Sequence, residues 1–325
     1  MTQDSSVATL SADATADVPT PVKARSERWS NMLLRDPMAA IAAAILLVVA
    51  LVAVFGPLLI GESATRGNLA LTRLAPFGTA HGWEYFLGSD LLGRSVLGRL
   101  ILATRTTMSV AVPVVLLSLA IGSIVGMWAG YHRGWRETSA MRLADVILSF
   151  PSLLLAVVVL YIYSPNVANI VLILTIARIP IYLRTARAES AELRSRLFVD
   201  AARTFGASSG AIIRRHIFPV VLPTLLTVAA LDFCYVMLAE SSLSFLGIGV
   251  QPPDVSWGLM VAQGKSYLRT EWWLSIFPGL AIVITTVSAN ILAAWVRIAT
   301  DPGQRWRLTT SRKRRSLRRT VMEAQ

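Results

Sequence analysis

The stretch DAARTFGASSGAIIRRHIFP, running from Asp200 to Pro219, decides how the chain reads. It is polar and amphipathic, carries a glycine at its bend, and lies between two runs apolar enough to sit in lipid. A segment of that kind has to dock on something outside the bilayer.

Working outward, the composition is that of a membrane protein. Of 325 residues, 54% are hydrophobic and only 15% charged, against about 25% charged in an ordinary soluble domain. A helix needs about 20 apolar residues to cross the hydrocarbon, so uncharged runs can be counted as spans. Met38–Ile60 and Thr106–Gly130 each supply one. Val146–Ala177 is too long for a single span and breaks at Ser164-Pro165-Asn166, so it belongs to two. Leu222–Leu246 and Trp273–Ala299 bring the expected number to six. No period-two strand pattern appears, and unpaired backbone groups are not tolerated in lipid, so the expected fold is an all-α membrane protein of six transmembrane helices.

Orientation follows from Lys and Arg. The N-tail, 131–142, 184–216 and the tail from 297 hold four, three, seven and nine of them, whereas the alternate segments 61–105 and 247–272 hold five and two. That asymmetry puts both termini and the 200–219 loop in the cytoplasm, and makes the net charge of +12 a topological signal. The basic run RKRRSLRR (312–319) then reads as a lipid-headgroup contact rather than a nucleic-acid site. Residues 1–35 form an expected disordered N-tail, 36–302 the six-helix transmembrane domain, with 61–105 as its first external segment, and 303–325 a basic C-tail. The lone Cys234 lies in a span and forms no intrachain disulfide.

Several chemistries lack residues. The only phosphate-loop lookalike, Gly264-Lys265-Ser266, has Leu259 where the motif requires glycine. His81, His132 and His216 are scattered, which leaves no metal site, and no Gly-x-Ser-x-Gly elbow occurs. Neither an enzyme nor a cofactor is expected in this chain.

The spacing of Asp200-Ala201-Ala202, Gly206 and Pro219 resembles the coupling loop of ABC importer permeases, with Asp200 in place of the usual Glu. The wider match, RLFVDAARTFGAS then IIRRHIFP, is similar to the dipeptide, oligopeptide and nickel permeases. The similarity extends over about residues 35–302. It includes Gly88, Asp90, Gly93 and Arg94 in EYFLGSDLLGRSV, Asp145 and Pro151 in MRLADVILSFPS, and Glu240 in AESSLSFLGIGVQPP. It departs at Ile179, where a tryptophan is usual, and at Ala293-Ala294, where Gly-Asp is usual.

The resemblance implies a type I importer fold in a bacterial inner membrane. Partners would be a second homologous permease, one or two ABC ATPase subunits that bind the ATP and magnesium, an extracytoplasmic substrate-binding protein, and membrane lipid. The solute would be a dipeptide or oligopeptide, with nickel or glutathione as alternatives. Asp200, Ala201, Ala202, Gly206 and Pro219 would sit against the ATPase, with Arg214, Arg215 and His216 meeting its surface or lipid phosphate.

Other residues carry expectations of their own. Asp232 and Glu240, acids inside a span, are pathway candidates. Asp90 and Arg94, four apart, are expected to pair on one helical face. Arg178 is expected to snorkel to the cytoplasmic surface. Ala120, Gly122, Gly126 and Gly130 form a small-residue stripe suited to close helix packing, either within the chain or against a partner. The rival reading is an ion-gradient-driven secondary transporter, which would need an inverted repeat that the chain lacks.

Overall fold

The computed structural model describes residues 29–60, 64–78, 80–163 and 166–300; the tail expectations for 1–28 and 301–325 lie outside them. It is helical throughout, with a lone bridge between Ser89 and Ser95 the only extended pairing among the described residues. The elements are α1 (Trp29–Arg35), α2 (Pro37–Leu59), α3 (Val96–His132), α4 (Trp135–Leu148), α5 (Ser152–Ile162), α6 (Val167–Leu193), α7 (Leu197–Thr204), α8 (Ser209–Ile212), α9 (Phe218–Phe245), α10 (Trp257–Gly264) and α11 (Trp273–Thr300).

Five stretches are long and apolar enough to cross a membrane, and α4 with α5, bent by 78° at Ser149–Pro151, makes a sixth if counted as one broken span. Pro151 therefore opens a new helix rather than kinking one. A proline has no amide to give to the preceding turn, which makes it a natural first residue and a poor interior one.

Two boundaries differ from expectation. Residues 29–35, placed in the disordered tail, are helical: Met32 is buried with Trp295 and Ala299, so α1 packs on the last turns of α11. Helix α3 begins ten residues before Thr106. Ser95 caps it by accepting from Gly98 N at 2.9 Å; Arg105, the charge that bounds the uncharged run, lies exposed within the helix, and Arg99, in its first turn, is held by Asp90. At 1.5 Å per residue its 37 residues reach about 55 Å, well beyond about 30 Å of hydrocarbon.

The core is the packing of α3 on α6, the most extensive helix contact in the molecule. The three glycines of the small-residue stripe lie here, while Ala120 is exposed. A Cβ on Gly122 would overlap Tyr182 and the Ile179 carbonyl, one on Gly126 the Leu183 carbonyl, and one on Gly130 the Arg187 carbonyl. These glycines thus serve packing inside this chain. Ser118 donates to Thr175 O at 3.2 Å and Ser190 to Met127 O at 3.0 Å, tying together two backbones that the glycines let approach. Hydroxyls are effective there because no water competes for them.

Candidate functional site

Between α6 and α9 the chain leaves the apolar layer. Helix α7 buries Val199 completely but exposes Leu197 and Phe205 at 87% and 90%. Its C-terminus is a Schellman cap. Gly206 N–H donates to Arg203 O at 2.9 Å, Ala207 N–H donates to Ala202 O at 3.0 Å, and Gly206 takes φ +79°. The Ala202-to-Gly206 spacing is the register this cap requires: a left-handed residue four positions after a small one that packs beneath the turn. Ala202 and Ala207 both pack against the main core.

The loop is fastened to the far end of α3. Arg203 Nε donates to Tyr131 Oη at 3.1 Å, with its guanidinium 5.1 Å from the ring centroid. Asp200, exposed, pairs with Arg203 at 3.3 Å, while Ala201 O accepts from Phe205 N. Beyond the glycine, α8 and a π turn at Ile213–Ile217 lead into α9. Ile212 and Ile217 are fully buried there, and Arg214, Arg215 and His216 are exposed. Pro219 follows at once, so the wider turn falls where an amide donor is missing.

Of the acids in α9, neither opens onto an exposed face. Asp232 Oδ1 accepts from Arg178 Nε at 2.5 Å and Oδ2 accepts from Tyr182 Oη at 2.9 Å. Arg178 also stacks 4.1 Å from the Tyr235 ring centroid, and Tyr235 Oη meets Ser152 Oγ at 2.7 Å. Arg178 therefore does not snorkel. A buried partner one helix away satisfies it better than a reach along its own helix to water.

Glu240 is fully buried. Ser244 Oγ donates to its Oε1 at 2.8 Å, and Ser244 in turn accepts Val250 N at 3.0 Å, which pins the turn that follows α9.

At the opposite end of α3 lies the segment around Asp90. Gly88 and Gly93 take φ +84° and +71°, so Asp90 and Arg94 meet across a turn and not along a helix, which corrects that expectation. The pair itself forms, Arg94 Nε donating to Asp90 Oδ2 at 2.7 Å. Arg99, missed from sequence, donates to the same oxygen at 2.7 Å and through Nη2 to Gln263 Oε1 at 2.7 Å. Backbone amides of Leu92 and Arg94, both 2.9 Å away, fill Oδ1. Its place seven residues before the apolar run at Thr106, with Asp90 nine residues earlier, is the signal that could have found Arg99.

Gly264 closes α10, and Lys265 and Ser266 belong to a short 3₁₀ turn, with Lys265 4.9 Å from the Phe245 ring centroid. Among the described residues, no three His, Cys, Asp or Glu are grouped to hold a metal ion.

Comparison with known proteins gives this geometry a family. Residues 122–305 match the family described as the binding-protein-dependent transport system inner membrane component. A Brucella abortus permease protein named for a peptide transport system is 36% identical over 273 residues, 84% of this chain and 90% of that one. The dipeptide transport system permease protein DppC of Alkalihalophilus pseudofirmus is 30% identical over 272 residues, covering 84% and 88% of the two chains. The glutathione transport system permease protein GsiD of Pectobacterium atrosepticum is 34% identical over 218 residues, covering 67% and 72%. With five membrane-crossing helices, or six if the bent pair is counted as one, and with these matches over most of its length, the chain belongs to the inner membrane component family of binding-protein-dependent ABC transport systems.

Proposed function

We propose that this chain is one of two permease subunits of an ABC importer for dipeptides or short oligopeptides, with 197–217 as the segment that engages an ATPase. The observation that carries the coupling assignment is the exposure of Leu197 and Phe205 on a short helix whose other face is anchored to Tyr131 of α3 and to the core. Apolar side chains held so rigidly outside the membrane layer are what a protein groove accepts.

ATP and magnesium belong to the partner subunits. Closure of two ATPases would push on α7, and the Arg203–Tyr131 contact and the α8–α9 junction would pass that movement to α3 and α9. Solute would then be exposed to one side of the membrane and next to the other. The names of the Brucella and Alkalihalophilus relatives support a peptide as solute. The Pectobacterium relative supports glutathione, itself a tripeptide, as the second reading. On the Lys and Arg count, α7 and both termini face the cytoplasm and Asp90 faces outward.

Purification of the tagged chain in mild detergent from its own cell tests the assignment. A second permease and one or two ATPases should accompany it, and the reconstituted assembly should take up a dipeptide only with ATP and a binding protein. Recovery of the intact chain with no ATPase under several gentle extractions would overturn it.

A further inference from the structure

Arg94 and Arg99 converge on one carboxylate oxygen of Asp90, at 2.7 Å each, while the other oxygen is filled by two backbone amides. Two guanidinium charges thus share a single carboxylate, leaving one positive charge without a counter-ion. Arg99 is buried and has a further partner in the neutral Gln263. Arg94 is different: its Nη1 and Nη2 make no hydrogen bond to any described residue, and a quarter of its side chain is open.

These groups border clefts that open to the surface, where Leu92 is exposed. Leu92, Arg94, Arg99 and Gln263 form the wall between two cavities, of about 320 and about 400 Å³. Besides Asp90, whose oxygens are already filled, the first is otherwise lined by mostly apolar and aromatic groups such as Met260 and Tyr267. The second carries Asp254 at its rim, exposed and unpaired with either arginine. A planar fork of four free N–H donors, with an uncompensated charge and walls of low polarity around it, fits a carboxylate.

We propose that this double cavity is a carboxylate-recognition site at the end of the permease remote from α7. Its occupant is either an acidic side chain of the solute-delivering protein or the carboxylate terminus of the solute itself. The proposal rests on the importer reading, because that reading presents either group to this face. Arg94 supplies the bidentate contact. Arg99 and Asp90 position it, Asp90 holding Nε so that both Nη groups point away from the salt bridge. The turn at Gly93 sets the register, since a side chain there would run into the Asn68 backbone.

The test uses the complete assembly in nanodiscs, comparing the parent with Arg94→Gln and Arg94→Lys. Two quantities are measured: the affinity of the solute-free binding protein, and uptake of the tripeptide Ala-Ala-Ala against its C-terminal amide. If the occupant is a side chain of the binding protein, Arg94→Gln weakens association by about ten- to a hundredfold, the loss of a charge-assisted contact. Neutralising one acidic residue of the binding protein then adds no further loss, and Arg94→Lys restores part of the affinity.

If the occupant is the solute, association is unchanged. Arg94→Gln then raises the KM for the free acid and removes its advantage over the amide, which Arg94→Lys partly returns. An active parent whose Arg94→Gln form matches it in both measurements overturns the site while leaving the importer reading intact. A parent that takes up nothing overturns both.

Discussion

Arg178 and Asp232, fifty-four positions apart, form an ion pair between α6 and α9 within the membrane-crossing layer, closed by Tyr182 on one side and Tyr235 on the other. Removing one partner leaves the other charged and unmatched. Asp232→Ala should therefore destabilise the chain by about 3–5 kcal/mol, and Arg178→Met with Asp232→Leu should recover most of that loss. Thermal unfolding in detergent, followed by size-exclusion recovery, checks both; a double variant no better than the single one would contradict the pairing argument.

Gly206→Val places a β-branched residue at φ +79°, a conformation costing ordinary residues about 1–2 kcal/mol and β-branched ones more. Nothing lies within 4 Å of the added Cβ, so strain is the only local defect. The variant should insert and assemble, yet hydrolyse ATP without matching uptake. The ratio of phosphate released to peptide transported is the measurement, and an unchanged ratio would remove Gly206 from the coupling role.

Leu197→Ser with Phe205→Ser should leave the fold in place, because both side chains point to solvent, and should reduce the ATPase recovered with the tagged chain severalfold or more. Apolar anchors of this kind dominate interface energy, each contributing about 2 kcal/mol when central. Quantitative blotting against the second permease as an internal standard reads the effect.

Gly126→Ile tests the seam of α3 and α6. The clash is with a backbone carbonyl, which no rotamer change relieves, so a loss of at least about 1–3 kcal/mol is expected. It would appear as aggregation or poor membrane yield. Normal yield and melting would mean that the two helices are not packed at this distance.

Cysteine labelling checks the orientation. The one native thiol, Cys234, is buried, so the background is low. Leu92→Cys should react with an impermeant maleimide in intact spheroplasts, and Phe205→Cys only after lysis. The reverse pattern would invert the topology.

The legible parts of this molecule were those with a local cause. The spans showed because lipid demands about 20 apolar residues in a row, and α7 showed because Asp200, Arg203 and Gly206 interrupt such runs. The Schellman cap could be anticipated from Gly206 alone. What escaped was pairing across distance. Asp90 and Arg94 stand at helical spacing, but Gly93 in a left-handed conformation turns the chain, and the second arginine arrives from nine residues on. Arg178 and Asp232 each looked anomalous in their own span. Taken together, two opposite charges in neighbouring apolar helices are each other's natural solution, a signal that single-segment reading does not weigh.

Helix α3 carries Arg99 within its first turn and Tyr131 within its last, the one beside the two cavities at Arg94 and the other under Arg203. Both stations sit on one continuous helical rod, with Pro113 inside it, and no loop intervenes between them. If the rod pivots at one end, a tilt of about 5° sweeps the other through about 5 Å over its length of about 55 Å. The molecule thus has a lever arm, and its gearing is set by the number of residues between a guanidinium and a phenol.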